Sequence, residues 1–243
     1  MTTKRTWIVA AVLCAAVVAA SVIGYTPRIR EKPTVEVEAE VIELPEPVRR
    51  GVMSVEEAIQ RRRSIRSYKD KPITISHLSQ LLWAAQGITD EKRGFRAAPS
   101  AGALYPLELY VVVGERGVAV DDGHLKAGVY HYSPRDHSIR YVLEGDLRRE
   151  LATAALGQMF VADAPVILVI TAIYERTTIK YGKRGIRYVH LEAGHAAQNV
   201  YLQAVALELG TVVVGAFYDE RVKELLKLDE ENPLYLMPIG HPR

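Results

Sequence analysis

The sequence predicts an α+β domain rather than a doubly wound sheet, and three stretches carry that prediction. Residues 164–173, "APVILVITAI", form an apolar, β-branched run bounded like a buried strand. Residues 128–143 read as a hairpin, with "GVYHYS" and "SIRYVL" flanking the turn sequence "PRDH". A long helical pattern is bracketed by Gly185 and Gly210. Hairpin strands with few regular β-α alternations argue against a parallel sheet.

The elements follow in order. Ser54 and Glu57 make a capping box that opens a short helix through Arg62. Ser76 opens a second, with Leu78, Leu81, Leu82 and Ala85 on one face before Gly87. "LELYVVV", residues 107–113, reads as a strand ahead of the hairpin. Asp146 starts a helix to about Leu156, and the strand at 164–173 comes next. The long helix, "RYVHLEAGHAAQNVYLQAVALEL", carries Ala193, Gly194, Ala196 and Ala197 midway and apolar residues on most sides. Such a helix is normally buried, either in a monomeric core or against a second subunit, and a homodimer is expected. Strands at 211–216 and 234–239 surround a final short helix, "DERVKELLKL".

Composition sets the class. With 243 residues, 49% hydrophobic and 25% charged, the chain is globular and large enough for one substantial core. Lys plus Arg exceed Asp plus Glu by only 31 to 29, so no broad positive field points to a nucleic-acid partner. The single cysteine, Cys14, excludes an internal disulfide and a cysteine-based zinc site.

Residues 7–25, "WIVAAVLCAAVVAASVIGY", run without a charge for close to the roughly 20 positions that cross a bilayer as helix. Trp7 and Tyr25 sit at its ends, where amphipathic rings favour the headgroup layer. The expectation for residues 1–25 is a single-pass membrane anchor; the alternative is a signal segment cleaved after Val18, Ala19 and Ala20. Arg28, Arg30 and Lys32 nearly balance Lys4 and Arg5, so charge does not orient the segment. Residues 26–50 alternate charge with valine among four prolines and read as an extended tether, with the folded domain at 51–243.

Several familiar sites are set aside. No two glycines stand at i and i+2, which excludes the dinucleotide fingerprint, and no G-x-x-x-x-G-K loop is present. His190 and His195 diverge by roughly 140° on a helix, which spoils a shared metal face, so no metal is expected. "APSAG", residues 98–102, fits a relaxed nucleophile elbow around Ser100, but Pro106 and a strand follow where a helix is required.

The stretch "RRRSIRSY", residues 61–68, concentrates positive charge. On extended backbone Arg62, Ser64 and Arg66 point to one side, where guanidinium forks and a hydroxyl can pair with phosphate oxygens. In isolation the same residues also suit a solvated basic helix end.

Together with "APSAGALYPLELYVVV", "IKYGKRGIRYVHLEAGHAAQNVYLQA", "LGTVVVGAF" and "MPIGHPR", in that order, this stretch resembles the nitroreductase-like FMN oxidoreductases, specifically the SagB-type dehydrogenase branch. The resemblance covers residues 52–243. It implies a three-layer fold with a central, mainly antiparallel sheet flanked by helices, and FMN as cofactor, with NADH or NADPH as candidate electron donor. It further implies that Arg62, Arg63, Ser64 and Arg66 hold the phosphate and ribityl end, joined by Arg243. Pro99, Ser100, Gly102 and Leu104 match a segment that the partner subunit lays along the isoalloxazine. Gly215 and Ala216 match a strand-end turn whose backbone N–H faces flavin N5. Small residues there suit close approach to a flat ring, and a donor steadies charge arriving with hydride. Gln198 and Asn199 resemble a helix pair of the family, without an assigned contact. Lys180 and Tyr181 in "IKYG" match the branch's catalytic pair, a lysine buried beside cations or a tyrosine accepting a proton as hydride leaves. The expected function is two-electron oxidoreduction on a small-molecule or peptide substrate. The alternatives are a non-catalytic flavin-binding protein on the same fold, or a reductive enzyme acting on nitro, quinone or halogenated compounds.

Overall fold

Alternation along the central strands decides the layering. A computed structural model describes residues 40–243. Seven strands, β1 (Val41–Glu43), β2 (Leu107–Val113), β3 (Gly128–Ser133), β4 (Ser138–Glu144), β5 (Val166–Ala172), β6 (Gly210–Thr211) and β7 (Asn232–Gly240), form one sheet. Its order is β1-β4-β3-β2-β5-β7-β6, and every pairing is antiparallel. In β5, Val166, Leu168, Ile170 and Ala172 enter one apolar cluster while Ile167 and Val169 enter another. In β2, Leu107, Leu109, Val111 and Val113 likewise divide from Tyr110 and Val112. Both faces of these strands are therefore covered, which is why, apart from Glu108 and Thr171, their sequences run apolar or aromatic rather than alternating with polar residues.

Helices supply the outer layers: α1 (Val55–Arg61), α2 (Ile75–Gln86), α3 (Arg148–Ala154), α4 (Phe160–Asp163), α5 (Glu175–Tyr181), α6 (Arg184–Ala206) and α7 (Asp219–Leu226). The first cluster takes Leu78, Leu81, Leu82 and Ala85 from α2 and Val189, Ala193, Ala196, Ala197 and Val200 from α6. The second takes Leu151 from α3, Val161 from α4, and Val222 and Leu226 from α7. Ala193, Ala196 and Ala197 of α6 face inward, while Ile186, Leu191, Gly194, His195 and Gln198 are exposed, so α6 is buried on one side rather than nearly all round.

Four expectations shift. The anchor expected over residues 1–25 lies outside the described residues; among those described, no helix is long and apolar enough to cross a membrane. The expected tether does not extend to residue 50. Val41–Glu43 pairs with Arg140–Ser138, and Leu44 is buried. Gln80 brackets Val48, accepting from its N–H at 2.7 Å and donating to its carbonyl at 3.0 Å. The second helix begins two residues early, because Thr74, not Ser76, caps it: Thr74 Oγ1 accepts from His77 N–H at 3.1 Å. Of the strand expected at 211–216, only Thr211 joins a regular pairing, with one further bridge at Val214. Val213 N–H donates instead to Tyr201 Oη at 2.8 Å, a side-chain partner that interrupts the ladder.

Candidate flavin site

The arginine stretch leaves α1 as extended chain, with Arg62 at ψ 124°. Ser64 bridges Thr211, and Ile65 N–H donates to the Thr211 carbonyl at 2.9 Å. The carboxyl-terminal residues return to the same stretch. Tyr68 bridges Pro242, Arg243 N–H donates to the Ser67 carbonyl at 3.2 Å, and Arg243 Nε donates to the Tyr68 carbonyl at 2.6 Å. Two residues separated by most of the chain are thus neighbours through backbone pairing, and Arg243 stands beside the segment that carries Arg66.

Aromatic rings set the side chains. Tyr201, on α6, lies 3.1 Å from Ser64 Oγ through its hydroxyl and carries the Arg62 guanidinium over its ring at 5.1 Å. Arg66 lies over Phe160 at 5.7 Å. Arg63 behaves differently, turning back to the carbonyls of Gln60 and Arg62. Among the described residues, Arg62, Arg63, Arg66 and Arg243 have no carboxylate within salt-bridge distance. Unpaired guanidinium forks around a hydroxyl are the donor set a phosphate monoester requires, so Arg62, Ser64, Arg66 and Arg243 fit the phosphate end of FMN.

Gly215 and Ala216 lie exposed at the end of the stretch that Ser64 and Leu236 bridge. A side chain at Gly215 would meet only the Tyr235 ring, at 3.6 Å. Gln158 Nε2 donates to the Ala216 carbonyl at 3.1 Å, which leaves this turn tied to the connection entering α4. The exposed, small-residue backbone fits the close approach of a flat ring.

The loop at 99–104 is built elsewhere. Ala98 is buried, Ser100 Oγ accepts from Tyr105 N–H at 2.9 Å, and one 3-10 turn, Ala101–Ala103, leads to β2. The helix that a nucleophile elbow needs is absent at this point. Gly102 has φ 65°, and a β-carbon on it would lie 2.8 Å from Tyr181 Oη and 3.0 Å from Lys180 Nζ. Lys180 and Tyr181 therefore reach one spot although they are adjacent on a helix. The reason is the end of α5, where Gly182 takes φ 55° and closes the helix. Lys180 is exposed, not buried beside cations as expected. Its Nζ stands 5.4 Å from the Tyr181 ring centre, and Tyr181 packs edge-on against Tyr188 of α6.

Behind this loop lies a group that sequence reading missed. Glu192 is 2% exposed, and its Oε1 has no hydrogen-bond partner among the described residues. Burial pushes its carboxyl up to about 7, with Ser100, Arg96 and Gln86 partly opposing the shift. Nearby, burial raises Glu108 less than His131 and Arg176 lower it through hydrogen bonds, so that carboxyl sits below its usual range. One carboxyl is raised and the other lowered, and both act on the Arg96 guanidinium. Only the mid-helix position of an acid in an otherwise apolar stretch hinted at Glu192.

In one chain the two halves do not meet. Tyr188, at the Lys180–Tyr181 end, and Tyr201, at the arginine end, stand on α6 about 20 Å apart along its axis. Gln198 is exposed, and Asn199 donates from Nδ2 to the backbone carbonyls of Ala84 and Ala97 at 3.1 and 3.3 Å, a structural tie to α2 and the loop.

Residues 59–241 match the nitroreductase family. A protein of Methanocaldococcus jannaschii that carries a provisional nitroreductase name is 54% identical over 188 residues, spanning 77% of this chain and 91% of the relative. The crystal structure of a provisionally named nitroreductase from Ralstonia eutropha superposes with a TM-score of 0.73 at 31% identity, covering 87% of this chain and 94% of that one. The microcin B17-processing protein McbC of Escherichia coli is 27% identical over 69% of this chain, which spans 62% of McbC's length. With three quarters of its length matched by the family and 54% identity to the archaeal relative over the 188 aligned residues, the chain belongs to the nitroreductase family and is an oxidoreductase of that family.

Proposed function

We propose that the protein is an FMN-dependent oxidoreductase working as a homodimer. The observation that carries this reading is the return of Arg243 to Ser67 and Tyr68, next to the stretch that holds Arg62, Ser64 and Arg66, with no carboxylate partner for these guanidinium groups among the described residues. Arg62, Ser64, Arg66 and Arg243 hold the phosphate, while Gly215 and Ala216 present backbone to the ring. Bound FMN supplies two-electron hydride chemistry.

A second copy completes the site. Lys180 and Tyr181 come from the partner chain, because the same chain sets them at Tyr188, about 20 Å along α6 from the Tyr201 that holds Ser64 and Arg62, and Pro99, Ser100, Gly102 and Leu104 come with them through the contact at Gly102. Tyr181 Oη and Lys180 Nζ converge beside Gly102 and hold or accept the proton that substrate oxidation releases. A dehydrogenase role of the SagB type is supported by this pair and by the likeness to McbC, whose name records peptide processing. The substrate is a small molecule or a peptide. The N-terminal segment at 7–25 fixes the enzyme to a membrane.

Purified protein given FMN turns yellow and retains the colour through gel filtration at the mass of a dimer. Bound flavin is bleached by NADH or NADPH and recovers on addition of a quinone or nitroarene. Protein that stays colourless ends the reading, and flavin that binds but never turns over leaves the non-catalytic alternative. Lys180→Ala keeps the colour and lowers substrate oxidation about 100-fold, within the range of a lost general base; loss of flavin instead makes the residue structural.

A further inference from the structure

A cavity of about 620 Å³ opens beside Gly215, within the size range of small-molecule sites. Neither Lys180 nor Tyr181 of the same chain lines it. Its wall carries a different pair: Tyr174, just ahead of α5, and His190, in the second turn of α6. Tyr174 Oη lies 2.6 Å from His190 Nε2, and the rings stand edge-on with centres 5.6 Å apart. That bond consumes one ring nitrogen and fixes the imidazole plane. His190 Nδ1 has no hydrogen-bond partner among the described residues. Burial, then Asp219, raise the Tyr174 hydroxyl above its usual value, so Tyr174 stays neutral and keeps its proton in the contact with His190.

The charge of the wall is one-sided. Asp219 and Glu220, in the first turn of α7, line the cavity, and no lysine or arginine does. Carboxylates are favourable at a helix N-terminus, which accounts for their presence but leaves their field in the cavity intact. Tyr174, His190, Asp219, Glu220 and Tyr235 are the titratable groups around it.

We infer that this cavity receives a planar, neutral or cationic part of the substrate and disfavours anions, and that His190, held by Tyr174, exchanges a proton with it through Nδ1. The inference rests on the proposed function, which sets the flavin ring against Gly215 and draws Lys180 and Tyr181 from the second copy, while the acidic wall belongs to one chain.

Two nitroarene probes of opposite charge test the electrostatic part: 4-nitrobenzylammonium and 4-nitrobenzoate, with uncharged 4-nitrobenzyl alcohol as the reference, titrated into full-length protein with and without FMN and followed by the NMR shifts of the His190 imidazole. The cation binds about fivefold to tenfold more tightly, as two screened charge contacts give, and the preference disappears in Asp219→Asn/Glu220→Gln. Equal binding, or a preference that survives the double substitution, overturns it. His190→Gln retains flavin and loses the histidine limb of the pH–rate profile, whereas Tyr174→Phe moves that limb; unchanged profiles overturn the role of the pair. Protein that takes no flavin but keeps the probe preference refutes the proposed function and leaves the cavity's selectivity standing.

Discussion

At the arginine end of the candidate site, positive groups stand exposed with no carboxylate in reach, resting on aromatic rings and on two backbone bridges. At the loop end, an unpaired acid is buried behind Ser100, and Gly102, Ala103 and Tyr105 all hold positive φ. The first region carries its unmet demand on the surface, where a ligand can satisfy it without repacking. The second stores it inside, so that its chemistry and its stability are coupled. Substitutions therefore separate binding from folding at one end and mix them at the other.

The sharpest break in that contrast comes from Arg66→Ala. It removes a charge-assisted contact and weakens FMN by about 10-fold to 100-fold, read by quenching of flavin fluorescence, with the melting temperature of the flavin-free protein unchanged. A flavin-free protein that melts earlier makes Arg66 a structural residue and erases the contrast.

Glu192→Gln gives the next largest effect, and it falls on folding. The native carboxyl titrates near 7 against a starting value of 4.5, so the folded state holds a proton that the unfolded state has lost between those pH values. Stability accordingly falls as pH rises from about 4.5 to about 7 and is level above that. The amide abolishes this fall and stabilises the protein at pH 8 by an amount on the order of 2 kcal/mol. Denaturant melts across pH 4 to 8 decide it: an unchanged slope assigns the pH dependence to another group.

Gly102→Ala is smaller and mixed. The new methyl meets Tyr181 Oη and Lys180 Nζ at a backbone angle that alanine disfavours, costing about 1 kcal/mol of stability and about tenfold in turnover, with the flavin still bound. Full turnover in this variant places the working atoms away from Gly102.

The legibility of the two ends differs for the same reason. Arg62, Ser64 and Arg66 are close in sequence, and alternation on extended chain is a local rule, so their grouping was readable. Arg63 was not separable from them, because its turn toward the Gln60 carbonyl depends on where α1 ends. Helix α5 escaped notice: Tyr174 makes no side-chain cap, and two threonines and an isoleucine disfavour helix locally. It is held instead from outside, by Arg176 pairing with Glu108 of β2 and by burial of Thr177. The strand expected at 211–216 failed in the opposite sense, its valines satisfying the local rule while Tyr201 took the backbone donor.

By itself the sequence determined the alternating strands, the amphipathic helices and the basic turn, since each follows from periodicity or from residues a few positions apart. Which groups share a site was decided by tertiary structure alone: the return of Arg243 to Ser67, the convergence of Lys180 and Tyr181 on Gly102, the Tyr174–His190 contact and the burial of Glu192. Those depend on contacts between distant segments and on removal from water, and neither quantity has a local signature in the chain.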